Sequence, residues 1–338
     1  MVVRMKKLLL ILILFYLTSC NEIRFNYYFL NLEPDEKEYL SLNLLLKDSV
    51  DFNYLSSNDI NKLKKSKKIY LKGIGKNFLN FIKLLKDIDL LQIIKCSVFE
   101  VDIIKYNSLK RLDIVELQYL KKLKIKHNEL LKNIIVLHNE NLQNISLENN
   151  PSLSSLTLID SPNLKNLIIN NHDSLTSLSL IKVNLDNIND INIVHIKELN
   201  LSENNFIKFN EESKYLEFLS LSNNKLNDIR LSSYEKLECL HVDDNNLRKL
   251  NLEFNSDLKI ITCSSNNLRE LNLEFNSDLI FLNCSNNNLS KLDLRKNPKL
   301  ESVYSSGNEI DTILVNKDFN GVIDKDSFTL VLKDSILL

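Results

Sequence analysis

The chain has 338 residues, and its 43 Lys and Arg balance 44 Asp and Glu to a net charge of -1. This balance excludes a global basic field, which argues against nucleic acid as the partner. Only 4 Gly are present, which argues against a glycine-rich phosphate site. Leu makes up roughly one residue in five and Asn roughly one in seven, so apolar burial and turn chemistry dominate the composition.

The N-terminus has the pattern of a targeting segment. Lys6 and Lys7 precede an apolar run at 8–17, which is too short to span a bilayer as a mature helix. The run leads through Leu-Thr-Ser into Cys20, and small residues before such a Cys resemble the lipobox of bacterial lipoproteins. The resemblance implies a signal peptide over 1–19 and a lipid anchor of acyl chains on Cys20. An ordinary signal peptide with a Cys at its cleavage site is the alternative.

Both ends of the remaining chain are predicted to be caps. Residues 20–97 are interpreted as an anchor and an N-terminal α/β cap that shields the first repeat. Three helices and one strand are expected there, at 34–47, 58–67, 76–86 and 69–71. Residues 321–338 are interpreted as a C-terminal cap, with a closing strand from Phe328 to Lys333 after the Asn320-Gly321 turn.

The segment 98–320 is built from one repeated phrase. Leu216, Leu237, Leu258, Leu279 and Leu300 begin the same phrase, 21 residues apart. Each 21-residue phrase contains two LxxLxL units with Asn eight residues after the first Leu. From Val98 to Leu175 the same unit recurs every eleven residues, which makes repeats of 22. A fixed period of this length indicates a repeat architecture.

The unit itself predicts a short strand followed by a corner. The last two apolar residues of LxxLxL alternate with a polar one, as in a strand with one buried face, and the Asn favours a turn. Two units close one coil, and stacked coils share a core, so the prediction is a β-rich repeat solenoid with two short parallel strands per 21–22-residue coil. One Asn per coil is expected to form a structural ladder that satisfies backbone groups at the corners: Asn204, Asn224, Asn245, Asn266, Asn287 and Asn308.

The nested phrase LxxLx(L/C)xxNxLxxLxLxxNxx resembles the leucine-rich repeat family, in the form of its bacterial IRREKO subclass. The copies from 216 to about 320 match closely, whereas those from 98 to 195 depart from the subclass by keeping eleven-residue units. The resemblance implies a solenoid with a parallel concave sheet that usually binds macromolecules, and it implies no particular ligand.

Outward positions of the phrase supply the candidate binding face. Its apolar members are Phe218, Ile260 and Phe281, and its second row comprises His241, Thr262, Asn283 and Tyr304. Exposed apolar residues in a row predict a contact surface, although hydrophobes that merely stabilise stacking are the alternative. Cys239 lies at an outward position of the same row, where its thiol could react, but no neighbour in the sequence is suited to lower its pKa. A field of hydroxyls favours glycan as the alternative ligand: Ser154, Ser155, Thr157, Thr176, Ser177 and Ser179.

Catalytic and metal-binding signatures are missing from the sequence. We find no HExxH, GxSxG or phosphate-loop motif, and the five His form no ligand cluster with Cys, so we expect no catalytic residues, no metal and no cofactor. Cys263 and Cys284 share an inward position in adjacent coils, where a buried ladder is favoured over a disulfide or metal pair. Asp190 and Glu211 replace inward apolar residues, through either a bulge that lets Ile191 take the vacant place or a functional notch.

These observations predict a non-catalytic, lipid-anchored protein of the bacterial cell envelope, at the outer membrane or cell surface. Its expected partners are a protein ligand, bound through the concave sheet, and the membrane, through acyl chains on Cys20. Binding of a carbohydrate or envelope polymer, and a purely architectural role in the envelope, are the alternatives.

Overall fold

The structure, a computed structural model, describes residues 67–72, 87–170 and 172–333. Cys20 and the predicted cap helices lie outside these residues, apart from the last residue of the second helix. Within the described residues, parallel strands stack with a coil-length step: Leu90 pairs with Arg111, Asn133 with Ser155 and Glu198 with Phe218. These steps of 21, 22 and 20 residues confirm the predicted solenoid.

One side of the solenoid is a single parallel sheet of 13 strands, here called the main sheet. Its strands, in spatial order, are β1 (Lys68–Lys72), β2 (Leu90–Ile94), β4 (Arg111–Val115), β6 (Asn133–Leu137), β8 (Ser155–Ile159), β10 (Ser177–Ile181), β11 (Glu198–Asn200), β13 (Phe218–Ser220), β15 (Cys239–His241), β16 (Ile260–Thr262), β17 (Phe281–Asn283), β19 (Ser302–Tyr304) and β21 (Val322–Asp324). The five-residue strands of the 22-residue coils give way to three-residue strands from β11 onward.

The opposite side of the solenoid is divided into three smaller parallel sheets. Their strands are β3 (Glu100–Ile104), β5 (Lys122–Lys126), β7 (Asn144–Glu148) and β9 (Asn166–Asn170); β12 (Lys208–Phe209) and β14 (Asp228–Ile229); and β18 (Lys291–Leu294), β20 (Thr312–Val315) and β22 (Leu330–Lys333). Residues 185–190, 247–252 and 268–273 form no strand on this side, so the expected second strand is missing from three coils.

The core lies between the two sides and follows the alternation of the repeat. In β8, Leu156 and Leu158 are buried in the core. The alternate residues Ser155 and Thr157 are half-buried on the outer surface. Each buried aliphatic side chain contributes about 1.5–3 kcal/mol of gross stabilisation, and every coil adds several. The shared core therefore joins successive coils into one folding unit.

The repeat extends further towards the N-terminus than its Asn signature. Both β1, which contains the predicted strand at 69–71, and β2 belong to the main sheet. Ile88, Leu91 and Ile93 are buried in the LxxLxL positions, and Cys96 occupies the place of the ladder Asn. The Cys96 thiol lies 3.3 Å from the Ile94 carbonyl oxygen and 3.7 Å from that of Leu71, so it partly replaces the Asn hydrogen bonds.

The structure shows the outcome of the predictions for the C-terminal strand and for Asp190 and Glu211. The predicted closing strand is confirmed as β22, which pairs in parallel with β20. Asp190 is exposed and Ile191 is buried, so a local bulge fills the core position as the first alternative expected. Near Glu211, buried Ser213 enters the core and its hydroxyl donates a hydrogen bond to the Ile196 carbonyl at 3.3 Å.

Candidate binding face

The outer surface of the main sheet has two rows of side chains in the 21-residue coils. The parallel register places one residue of each coil directly beside its counterpart in the next. Row A comprises Glu198, Phe218, Cys239, Ile260, Phe281, Ser302 and Val322. Row B comprises Asn200, Ser220, His241, Thr262, Asn283, Tyr304 and Asp324. All seven predicted face residues therefore lie on the same side of the main sheet, but Ile260, Thr262 and Asn283 are buried there.

Row A is less accessible than its sequence pattern indicates. Phe218 and Phe281 are half-buried, and Ile260 retains only 6% of its exposure, because side chains of adjacent coils about 4.8 Å away cover it. Val322, at 65%, is the most exposed apolar member of the row. The sequence analysis missed Val322 because it lies beyond the last complete copy of the phrase.

Two aromatic pairs flank the buried centre of the face. The rings of Phe218 and His241 have centroids 5.4 Å apart, and those of Phe281 and Tyr304 are 5.6 Å apart. Both pairs are tilted and join row A of one coil to row B of the next, which favours rigid ring positions. The accessible apolar surface therefore consists of two aromatic pairs and Val322 rather than one continuous stripe.

Cys239 is not the accessible thiol that its outward position predicts. It is 4% exposed between Phe218 and Ile260 in row A. Burial raises the pKa of its thiol to about 12, and the negative charge of Glu238 adds to the effect. Because the thiolate is the reactive form, Cys239 is inert at neutral pH.

A hydrogen-bond network fixes the middle of row B. The Thr262 hydroxyl donates its proton to Asp243. His241 Nδ1 lies 2.8 Å from the Thr262 hydroxyl oxygen and therefore acts as the donor in that hydrogen bond. The other oxygen of Asp243 accepts from the backbone N–H and the hydroxyl of Ser264, at 2.8 and 2.6 Å. Burial lowers the pKa of His241 to about 4 against the opposing effect of Asp243, so the imidazole is neutral at pH 7. Thr262 is buried, so this network positions the face and offers no accessible nucleophile.

The predicted Asn residues lie at the corner that follows each main-sheet strand. Asn266 Oδ1 accepts from the Leu247 N–H of the preceding coil at 3.0 Å, and its Nδ2 donates to three carbonyls, including that of Val242 at 2.9 Å. The same two-way pattern is made by Asn204, Asn224, Asn245, Asn287 and Asn308. These bonds fix the spacing of the coils and hence of rows A and B.

The other cysteine pair and the possible metal ligands can be located within the described residues. Cys263 and Cys284 are fully buried free thiols, and burial raises the pKa of each. No group of three or more His, Cys, Asp or Glu side chains in 67–72, 87–170 and 172–333 is placed to hold a metal ion. The same residues include no helix with the length and apolar character of a membrane span.

The 22-residue coils present a different outer surface. Their longer strands carry a third row of aliphatic side chains, which are half-buried at Ile94, Leu137 and Ile159 and buried at Val115 and Ile181. The row was not predicted, because the serine and threonine positions beside it dominate the sequence pattern of these strands. Two of those hydroxyls are used internally, since Ser154 Oγ donates to the Lys132 carbonyl at 3.2 Å and Thr176 Oγ1 to the Ser154 carbonyl at 3.3 Å.

Comparisons with known proteins support the fold. No protein-family model matches the chain, and no curated protein matches its sequence. Similar solved structures include the functional domain of InlJ from Listeria monocytogenes, with 20% identity and a TM-score of 0.49 over 72% of this chain and 65% of that domain. They also include a leucine-rich repeat protein, LIC12759, from Leptospira interrogans, with 18% identity and a TM-score of 0.42 over 76% of this chain and 88% of that one.

A third similar structure is the Toll–Spatzle complex from Drosophila, with 15% identity and a TM-score of 0.50 over 80% of this chain and 49% of that one. The chain thus spans just under two thirds of the InlJ domain and about half of the matched chain in the Drosophila complex. At 15% identity the likeness to the Drosophila structure bears on the fold alone, and the described residues form a parallel β-solenoid of the leucine-rich repeat type.

Proposed function

We propose that this protein is a non-catalytic binding protein whose main-sheet face, in the 21-residue coils, contacts a protein partner. The observation that supports this most directly is the pair of aromatic clusters Phe218–His241 and Phe281–Tyr304 on one rigid surface. Aromatic side chains held in place lose little conformational entropy on binding and dominate many protein interfaces. The Drosophila structure of similar fold is a complex with a protein, Spatzle, which fits this function.

Rigidity of the face supports the same proposal. Row B is fixed by the His241–Thr262–Asp243 network, and the coil spacing is fixed by the Asn ladder. A surface that is already ordered does not lose further freedom when a partner docks, so its contacts contribute more fully to affinity. The alternative of a glycan on the hydroxyl field is weaker, because Ser154 and Thr176 already donate to backbone carbonyls.

The test is a matched pair of double variants. Phe218→Ser with Phe281→Ser should abolish capture of the partner by the immobilised protein, since aromatic anchors contribute about 2 kcal/mol or more each. Lys249→Ser with Lys291→Ser, on exposed positions of the opposite side, should retain capture. Circular dichroism should show that both variants remain folded. Equal capture by the Phe variant and the wild type would refute this face and would favour an architectural role or another surface.

The proposal includes attachment to the bacterial cell envelope by acyl chains on Cys20. It rests on the basic segment, the short apolar run and the small residues before that Cys. Metabolic labelling with palmitate should mark the wild type and leave Cys20→Ala unlabelled, and only the wild type should partition into detergent. Equal labelling of the two proteins would refute the anchor without affecting the binding face.

A further inference from the structure

A polar groove of about 730 Å³ crosses four successive coils, outside rows A and B. Its walls are exposed amide and guanidinium side chains that follow the buried Asn ladder in each coil: Asn227, Asn246, Arg248, Asn267, Arg269 and Asn288. Neither an acidic nor an apolar side chain lines it. Its chemistry therefore differs from that of the proposed protein-binding face.

The backbone beneath the groove is held on both sides. The N–H groups of Asn246, Asn267 and Asn288 each donate to a carbonyl of the preceding coil at 2.8 Å. The wall contains two Asn-Leu-Arg segments, at 246–248 and 267–269. Their middle residues, Leu247 and Leu268, are buried and donate their N–H groups to ladder Asn side chains at 3.0 Å. The groove residues thus project from a fixed frame at one step per coil.

The side chains that line the groove make no hydrogen bonds or ion pairs to the described residues. In the coils just before it, the Asn205 amide donates to Asn184 at 2.7 Å and accepts from Lys225 at 2.7 Å. Across the described residues, none of the six side chains that line the groove makes a hydrogen bond or an ion pair. Four carboxamides and two guanidinium groups are consequently available to an external ligand.

The groove lacks the ion pairs that join neighbouring coils at several other places in the solenoid. Neighbouring coils are joined by opposite charges, as in Lys197–Glu217 at 2.9 Å, Lys259–Glu238 at 2.7 Å and Lys299–Asp278 at 2.6 Å. Arg248 and Arg269 occupy equivalent positions of adjacent coils, about 4.8 Å apart at the backbone, and have no carboxylate between them. Like charges stacked in this way repel each other, and a bound anion would relieve the repulsion.

We infer that this groove binds an acidic polysaccharide. Arg248 and Arg269 together form two guanidinium forks, which match the geometry of a sugar carboxylate. The amides of Asn246, Asn267 and Asn288 both donate and accept, so they suit the hydroxyls of successive sugars. The inference does not rest on the proposed protein-binding function, because none of the groove residues belongs to row A or row B.

The test measures binding of the full-length protein to immobilised polygalacturonate at about 0.15 M salt, with neutral dextran as the reference polymer. Arg248→Gln with Arg269→Gln should weaken binding by at least about tenfold, as expected for the loss of charge-assisted hydrogen bonds. Lys249→Gln with Lys291→Gln removes the same charge from residues outside the groove and should change binding less than about twofold. Thermal unfolding should show that both variants are folded, since all four residues are exposed.

Three outcomes would overturn the inference. Wild-type protein that binds polygalacturonate no better than dextran has no acidic-polysaccharide site. Equal losses in the Arg and Lys variants would mean that only net charge matters. Stronger binding of polyphosphate than of polygalacturonate at equal charge would identify the groove as a phosphate site instead.

Discussion

Coils of 22 residues and coils of 21 residues build the same solenoid with different amounts of sheet. From β3 to β10 both sides have five-residue strands, whereas from β13 onward the main sheet has three-residue strands and the opposite side is interrupted at 247–252 and 268–273. The deleted residue lies between the ladder Asn and the next Leu of the phrase. The loss of one residue per coil therefore accompanies shorter main-sheet strands and an opposite side that is interrupted in some coils.

The corners show how each form is held. In the 22-residue coils a left-handed residue follows the strand on both sides, as at His127 and His138, and a buried Asn comes next. In the 21-residue coils only the main-sheet corner keeps this pair, as at Ser265 and Asn266. The opposite corner has a tight turn at Asn276, whose Nδ2 donates to two carbonyls while its buried Oδ1 has no partner.

The register of the 21-residue coils therefore depends chiefly on the main sheet and its Asn ladder. The two aromatic pairs lie on that better-held side, whereas the polar groove begins next to the ladder corner and reaches the opposite side at Arg248 and Arg269. A binding surface gains from this arrangement because its side chains start from fixed positions.

The largest expected effect contrasts two core leucines at the same place in the phrase. Leu147 lies in β7 within a continuous ladder, and Leu273 lies in a coil without an opposite strand, yet both are buried. Leu147→Ala should cost about 4 kcal/mol and Leu273→Ala about 2–3 kcal/mol, because the unladdered backbone can relax into the cavity. Chemical denaturation measures both values, and a larger cost at Leu273 would contradict the comparison.

A smaller difference is expected between the two corners of one coil. Asn266→Ala leaves one backbone N–H and three carbonyls with fewer partners, and should cost about 2–3 kcal/mol. Asn276→Ala removes only two donated bonds and also an unpaired oxygen, and should cost about 1–2 kcal/mol. Melting curves of the two variants decide the order, and equal losses would mean that the corners are equivalent.

The smallest expected effect is the pH dependence of stability at two Asp residues, Asp160 and Asp244. Each has a left-handed backbone conformation at the corner that follows a main-sheet strand. Burial opposes ionisation of Asp160, but hydrogen bonds from Lys182 and His138 prevail and hold its pKa below the usual range. Burial raises the pKa of Asp244, and the charge of Asp243 adds to this effect. Ionised Asp160 thus stabilises the fold above about pH 4 and loses this contribution as the pH falls, whereas Asp244 stabilises it only when protonated.

Substitution by Asn should therefore have opposite signs in the two kinds of coil. At pH 7, Asp160→Asn should lower stability and Asp244→Asn should raise it, each by about 0.5 kcal/mol, since both side chains are partly exposed. Each difference should be smaller at about pH 3 than at pH 7, and that of Asp160→Asn should persist to lower pH, because the pKa of Asp160 lies below the usual range and that of Asp244 above it. Melting temperatures measured at the two pH values test this, and a stabilising Asp160→Asn would contradict the assigned ion pairs.

The sequence predicts the features that recur in every coil, and it fails to predict those that depend on contacts between side chains of adjacent coils. The LxxLxL phase correctly predicts that Leu156 is buried, because alternation alone sets which face is inward. The Asn320-Gly321 turn correctly predicts the closing strand β22. It misses the start of the repeat, since Cys96 stands where the signature requires Asn. Burial of Cys239 and the groove beside Arg248 depend on side chains one coil away, and a pattern within one coil does not contain that information.

The most direct test of the proposed binding face is photo-crosslinking in the cells that make the protein. The photoreactive p-benzoylphenylalanine would replace Phe281 in row A, Leu137 in the aliphatic row of the 22-residue coils, or Lys291 on the opposite side. The account predicts one discrete protein adduct from position 281 and none from 137 or 291. An adduct from 137 or 291 with none from 281 would place the partner elsewhere and contradict the central claim.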